Sequence, residues 1–342
     1  MQRGCSTKSK KTRKAVKEDK GGARSSRGAG KTVLVTGSTG RLGRTLVREL
    51  LSQGYKVRAY AEKIEQLQAL DPGVVPYVGD ITDREKLGKA MNGVSYVFHL
   101  AAIVSEYKAY TDELVRVNVE GTAAVVDACI KNNVKKIVYS STVDVYGKRR
   151  EGLLTEESEV RPSDRYGHTK MLAEKEIIAN GHLLNYTIFR IAAIYGRGFE
   201  HSFFKVLRAI KEHKAYIIGN GGNHFAMIHV DDAIRGLMLG IDAPDGVYNL
   251  GDGAEYTQKS LFDFAAKALG TGQIEKRISP VIVSIVAKRR GLDSDELRFI
   301  TSDRRISIEK ARRELGFSPK ERMDREAGLR MVSDFVEKYK RA

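Results

Sequence analysis

The stretch Lys31–Gly54, KTVLVTGSTGRLGRTLVRELLSQG, decides how this chain folds. An apolar run at Val33, Leu34 and Val35 breaks at Gly37, Gly40 and Gly43, and Leu42, Leu46, Val47, Leu50 and Leu51 then recur at helical spacing. The segment therefore reads as strand, glycine turn and helix. Gly37 suits the tight turn, Gly40 lets backbone N–H groups approach a pyrophosphate, and Gly43 lets the helix lie close to the strand. The helix N-terminus adds partial positive charge, so a dinucleotide fits this loop. The spacing is G-x-x-G-x-x-G rather than G-x-G-x-x-G, and the competing reading is a purely structural turn.

Working outward, strand and helix patterns alternate. Tyr55–Tyr60, Val74–Val78, Val94–Leu100, Lys136–Ser141 and Asn185–Ile191 read as strands, with a helix predicted from Asp112 to Lys131 and another opened by Pro162 and Ser163. This alternation argues for an α/β, doubly wound parallel sheet of Rossmann type, with ligands gathered at the carboxyl ends of its strands. After the second strand, where a ribose-reading acid is expected about 20 residues past the loop, stand Ala61, Glu62 and Lys63. An acid there pairs with a free 2′-hydroxyl and a base with a 2′-phosphate. Alanine at the usual acidic position, with Arg41 and Lys63 nearby, leans toward NADP(H) over NAD(H), and Glu62 opposes the lean. Asp80, in GDITD, is placed to accept from an adenine amine, and His99-Leu100-Ala101-Ala102 ends a strand in small residues that let backbone pass close to a ligand.

The formal charge of +16 belongs largely to the first 31 residues, which hold 11 Lys/Arg against Glu18 and Asp19. That segment has almost no large apolar residue. It reads as a disordered basic tail over residues 1–30, solubilising or able to contact polyanions without specificity. Cys5 and Cys129 lie far apart with no CxxC, and no metal site is read. The expected location is cytoplasmic, since no segment reaches 18 apolar residues and no secretory leader is visible.

Tyr166 and Lys170, in YGHTK, lie four apart, so a phenol and an ammonium share one helix face. Adjacent positive charge is what a tyrosine needs to act as a proton-transfer group near neutral pH. TGSTGRLG, GDITD, HLAA, YSSTVDVYG, YGHTK, FRIAAIYG and IHVDD follow one another over roughly residues 31–340. In these motifs the chain resembles the extended short-chain dehydrogenase/reductase family, its epimerase/dehydratase-like branch. The resemblance implies a Rossmann-type domain, mainly 31–190, and a smaller C-terminal substrate lobe, mainly 191–342, with some segments returning to the Rossmann core. It implies that Thr142 holds the substrate oxygen, Tyr166 transfers its proton, and Lys170 binds the nicotinamide ribose and lowers the tyrosine pKa. The catalytic set is then Thr142, Tyr166 and Lys170. The NAD(P)(H)-binding set is Thr36, Gly37, Thr39, Gly40, Arg41, Leu42, Gly43, Glu62, Lys63, Asp80, Ile81, Leu100, Ala101 and Ala102, with Tyr166 and Lys170 shared.

Members acting on nucleotide-diphosphate sugars typically carry an arginine where this chain has Phe225, so the resemblance is nearer to hydroxysteroid- and dihydroflavonol-type enzymes. The expected function is an NAD(P)-dependent oxidoreductase for a small, largely apolar hydroxyl or carbonyl compound. The alternatives are a nucleotide-diphosphate-sugar epimerase or dehydratase, and a non-catalytic cofactor-binding scaffold. The expected partner is a small-molecule substrate, with a homodimer left open. Four further expectations concern the C-terminal half. Ile191 stands where the family usually has proline, and His229 reads as a buried structural histidine. The acidic pair Asp231 and Asp232 caps a helix, and Ile278–Lys288 lines a pocket or joins the core.

Overall fold

The computed structural model describes residues 27–104, 111–283, 285 and 301–341. The first unit builds as the glycine loop requires. Strand β1 (Thr32–Thr36) leads through the loop into helix α1 (Arg41–Ser52), which buries Leu46, Val47 and Leu50 on the sheet. Each such side chain contributes about 1.5–3 kcal/mol by leaving water. Then come β2 (Lys56–Ala61), α2 (Ile64–Gln68), β3 (Val75–Val78), α3 (Arg84–Met91, capped by Asp83) and β4 (Tyr96–His99). The helix expected from Asp112 to Lys131 is instead α4 (Thr111–Val115), one π-helical turn (Arg116–Glu120) and α5 (Gly121–Lys131). Strand β5 (Lys136–Thr142) runs into a 3-10 turn (Val143–Tyr146), followed by β6 (Arg149–Leu154), α6 (Arg165–Ala179, capped by Asp164) and β7 (Asn185–Ile191).

The remaining elements are β8 (Ala193–Tyr195), α7 (Glu200–Lys211), β9 (Ile217–Ile218), β10 (His224–Phe225), β11 (Met227–His229) and α8 (Val230–Leu239). They continue with β12 (Gly246–Leu250), β13 (Tyr256–Thr257), α9 (Gln258–Leu269), β14 (Arg277–Ile278), β15 (Asp303–Ile306), α10 (Glu309–Leu315) and α11 (Glu326–Arg341). Seven strands form one parallel sheet in the order β12-β7-β5-β4-β1-β2-β3. The order reverses between β1 and β4, and at such a switch point the carboxyl strand ends open a crevice for a ligand. Late-chain β12 returns to the edge of this sheet, whereas α7, α9 and α11 pack around a separate apolar cluster that includes Leu207, Phe262 and Phe335.

Several expectations change. Residues 27–30 form an ordered turn in which Gly28 lies against Tyr55 and Arg27 bonds Asp242 at 2.6 Å, while residues 1–26 lie outside the described residues. The acidic pair does not cap α8. His229 does, its Nδ1 accepting from the Asp231 N–H at 3.3 Å, and buried Asp232 instead accepts from the Lys320 and Glu321 N–H groups. His229 is 9% exposed with its ring edge-on to Tyr195, in keeping with a structural role. Ile191 ends β7 and the chain continues directly into β8. Of the apolar segment Ile278–Lys288, Val281, Ile282 and Ile285 are exposed, so these three do not join the core, and 284 and 286–288 lie outside the described residues.

Candidate active site

The crevice begins where two strand ends touch. Gly37 has φ +66°, and a Cβ there would meet the Ala101 nitrogen at 2.6 Å, so the glycine loop and the Leu100–Ala102 backbone are packed together. A Cβ on Gly43 would stand 2.1 Å from the Gly37 carbonyl, which is why α1 can start so close to β1. No side chain caps α1 at Gly40, so its first N–H groups face the crevice without an internal side-chain acceptor. That arrangement fits a dinucleotide pyrophosphate.

A chain of hydrogen bonds holds the second strand end. The Thr122 hydroxyl donates to the Asn118 carbonyl (2.7 Å), so it accepts from His99 Nε2 (2.9 Å). His99 Nδ1 then accepts from the Thr36 hydroxyl (2.7 Å), which accepts from the Ala101 N–H (3.4 Å). Burial, with Lys170 nearby, lowers the His99 pKa to about 3, so this tautomer stays neutral. Asn118 clamps the next residues, its Oδ1 accepting from Ile103 N–H and its Nδ2 donating to the Ile103 carbonyl and Thr169 Oγ1. Asn118 was not singled out from the sequence, and His99 was named only as the first residue of the HLAA strand end, without this hydrogen-bonding role. The available signal was a polar Asn-x-x-Gly-Thr run, 118–122, inside an otherwise apolar helix.

Thr142 at the end of β5 and Tyr166 and Lys170 on α6 line a single cavity of about 380 Å³, together with Arg41, Leu42, Leu100 and Ala102. The far wall is apolar, formed by Ile191, Ile194, Phe199, Phe203 and Val206. Lys170 is 1% exposed, its ammonium 4.2 Å from the centre of the Tyr139 ring, and burial lowers its pKa to about 7 against the raising pull of Glu174. Behind it, Glu174 accepts from the Ser141 hydroxyl and pairs with Arg190 at 2.8 Å, with both ionic side chains almost fully buried.

The other candidate residues lie elsewhere in the crevice. Thr36 is buried under the loop, and Thr39 at the loop turn gives its carbonyl to Arg44 Nε (2.8 Å). Asp80 follows β3, but its carboxylate is already engaged: Oδ1 accepts from Thr82 N–H and hydroxyl, and both oxygens accept from Arg116 Nη1 at 2.9 Å. Ile81 packs on Gly121. Glu62 and Lys63 are exposed beyond β2. The Arg41 guanidinium lies over the Phe199 ring, 5.0 Å from the centroid, and both residues line the cavity.

A parallel sheet with a glycine-lined switch point and a helical Tyr/Lys pair facing the same crevice define a Rossmann-type dinucleotide enzyme. The chain belongs to the NAD dependent epimerase/dehydratase family, whose model matches residues 33–251. It is 30% identical over 311 residues to the dTDP-glucose 4,6-dehydratase of Streptomyces griseus, covering 84% of this chain and 89% of that protein. It is 29% identical over 322 residues to the 3-beta-hydroxysteroid dehydrogenase of Mycolicibacterium neoaurum, covering 84% and 87%. Among solved structures, MoeE5 in complex with UDP-glucuronic acid and NAD superimposes with a TM-score of 0.71 at 26% identity, covering 90% of this chain and 99% of that one. Among the described residues no helix is long and apolar enough to cross a membrane.

Proposed function

We propose that this enzyme moves a hydride between a nicotinamide and the hydroxyl or carbonyl carbon of a small, largely apolar substrate, with Tyr166 as the proton-transfer group. The observation that carries this reading is the shared cavity, in which Thr142, Tyr166 and Lys170 face a wall built from Ile191, Ile194, Phe199, Phe203 and Val206. The nicotinamide, when bound, supplies or accepts the hydride. The remaining work falls to the side chains. Thr142 presents a hydroxyl to the reacting oxygen, and Tyr166 gives or takes that oxygen's proton. Lys170 in its ammonium form stabilises the phenolate that results. The uncapped α1 terminus and Gly40 would receive the pyrophosphate, and Asp80 the adenine end through Oδ2, the less engaged of its two carboxylate oxygens.

For the cofactor, the missing acid at Ala61 supports NADP(H), with Lys63 as the reader of a 2′-phosphate. Glu62 opposes it, and Arg41, turned onto Phe199, supports it less than Lys63 does. A nucleotide-diphosphate-sugar epimerase or dehydratase is the second reading, favoured by the dTDP-glucose 4,6-dehydratase relative. Against it stands Phe225, 2% exposed in the apolar cluster beside Tyr256, where sugar-nucleotide enzymes typically place an arginine.

The test is to mix the protein with NADH or NADPH and offer 3-ketosteroids, 3-oxo esters and nucleotide-diphosphate sugars while following nicotinamide absorbance and product formation. Net cofactor oxidation with an apolar ketone supports the proposal. Conversion of a nucleotide sugar without net oxidation selects the second reading.

A further inference from the structure

Arg304 arrives at the cavity from far along the chain and spends its guanidinium on the loop that carries Thr142. Its Nη1 donates to the Val143 carbonyl (3.2 Å) and the Gly147 carbonyl (2.9 Å), and its Nη2 donates to Asp144 Oδ1 (2.7 Å). It therefore grips both ends of the 3-10 turn Val143–Tyr146, and its side chain is only 11% exposed. Asp144 in turn engages the candidate catalytic hydroxyl twice. Its Oδ2 accepts from Thr142 Oγ1 at 3.2 Å, and its N–H donates to the same oxygen at 3.2 Å. Arg304 and Asp144 both line the cavity that holds Tyr166 and Lys170.

The backbone carries an independent sign of the same arrangement. Strand β15 pairs with β6 through Asp303 opposite Arg149 and Arg305 opposite Leu153, so the register shifts at Arg304, where β6 carries extra residues including Gly152 at φ +77°. Bulges of this kind re-aim a side chain, and they are enriched beside active sites.

We propose that Arg304 is a positioning residue: through Asp144 it sets the direction in which Thr142 presents its hydroxyl to substrate. A hydroxyl has one proton and two lone pairs. Here Asp144 holds the Thr142 oxygen by two contacts, one to its proton and one to a lone pair, and so fixes where that oxygen stands beside the cavity. A substrate alcohol has a single proton and gives it to Tyr166, so Thr142 serves alcohol and ketone alike by turning its own proton from Asp144 Oδ2 to the substrate oxygen. The inference rests on the oxidoreductase reading for its kinetic consequence, but not for its structural one.

The test uses the full-length protein loaded with cofactor, in four forms: wild type, Arg304→Gln, Asp144→Ala and the double variant. Hydrogen exchange at the Asp144 and Gly147 amides is measured first, since the former donates to Thr142 and the latter to the Asp144 carbonyl. Arg304→Gln is expected to speed exchange at these amides at least about tenfold while the thermal midpoint and cofactor affinity hold; unchanged exchange overturns the proposal whether or not any turnover is found. Kinetics then use a 3-hydroxysteroid and its 3-ketone as probes, or whichever alcohol and ketone pair proves active. The expected result is a loss of kcat of about ten- to a hundredfold in each single variant on alcohol and ketone alike, no further loss in the double variant, and an unchanged KM for the cofactor. Losses that multiply in the double variant, or a cofactor KM that rises along with the fall in kcat, overturn the positioning role. A wild type inactive on every probe, with loop exchange still faster in Arg304→Gln, counts against the oxidoreductase reading and leaves the clamp standing.

Discussion

The two ends of the crevice are built differently. At the Asp80 end, Arg116 bridges Asp80 and Glu113 with side chains 37–41% exposed to water. At the Tyr166 end, Glu174 and Arg190 pair with side chains 3% and 6% exposed, tied to β5 through Ser141 and to Tyr146 through Arg190 Nη1 at 2.9 Å. An exposed pair is screened and contributes little, whereas a buried pair is costly to break because one charge is left in an apolar setting. On the proposed reading, the buried pair stands beside the group that moves the proton, and the exposed pair stands where the adenine would bind.

The sharpest way to break this contrast is Glu174→Ala. Removing one partner of the buried pair is expected to cost about 3–5 kcal/mol, read by chemical denaturation. A loss under about 1 kcal/mol would show that water reaches Arg190 and that the two ends do not differ. Lys170 sharpens the same point by pH. Its folded pKa of about 7 lies below the ordinary lysine value of 10.5, so between these values the folded state holds less of the proton than the unfolded state does. Stability of the cofactor-free protein should rise with pH across that window, and Lys170→Met should abolish the rise.

A smaller effect is expected at Asp252, whose burial raises its pKa to about 6 despite the Tyr256 hydroxyl bond at 2.6 Å. Here the folded pKa exceeds the ordinary aspartate value of 3.8, so stability falls as pH climbs through that window and the cost is complete above about 6. Asp252→Asn should flatten this dependence and add about 1 kcal/mol at neutral pH, since the lost bond to Tyr256 offsets part of the gain. The smallest effect belongs to the exposed end: Arg116→Ala should leave the denaturation midpoint close to that of wild type, measured by the same denaturation, and a shift as large as that of Glu174→Ala would erase the contrast.

What could be read from the sequence was whatever local spacing encodes. The strand, glycine turn and helix around Gly37, the parallel α/β architecture and the helical pairing of Tyr166 with Lys170 each depend on residues within a few positions of one another. What escaped depends on the tertiary path. Glu174 meets Arg190 across α6 and β7, and Arg304 reaches Asp144 from 160 residues away. The direction of Arg41 depends on where Phe199 comes to rest, and the apolar composition of Ile278–Lys288 says nothing about whether another element covers it. The helix capped by His229 rather than by its acidic pair turns on a rotamer, which spacing does not specify.

The central claim is that Tyr166 carries the proton in a hydride-transfer reaction. Turnover and cofactor affinity of Tyr166→Phe, measured beside wild type on the same ketone, test it most directly. The expected result is a fall in kcat of about 10²–10⁴-fold with cofactor affinity nearly unchanged. Wild-type turnover in the phenylalanine variant would contradict the account.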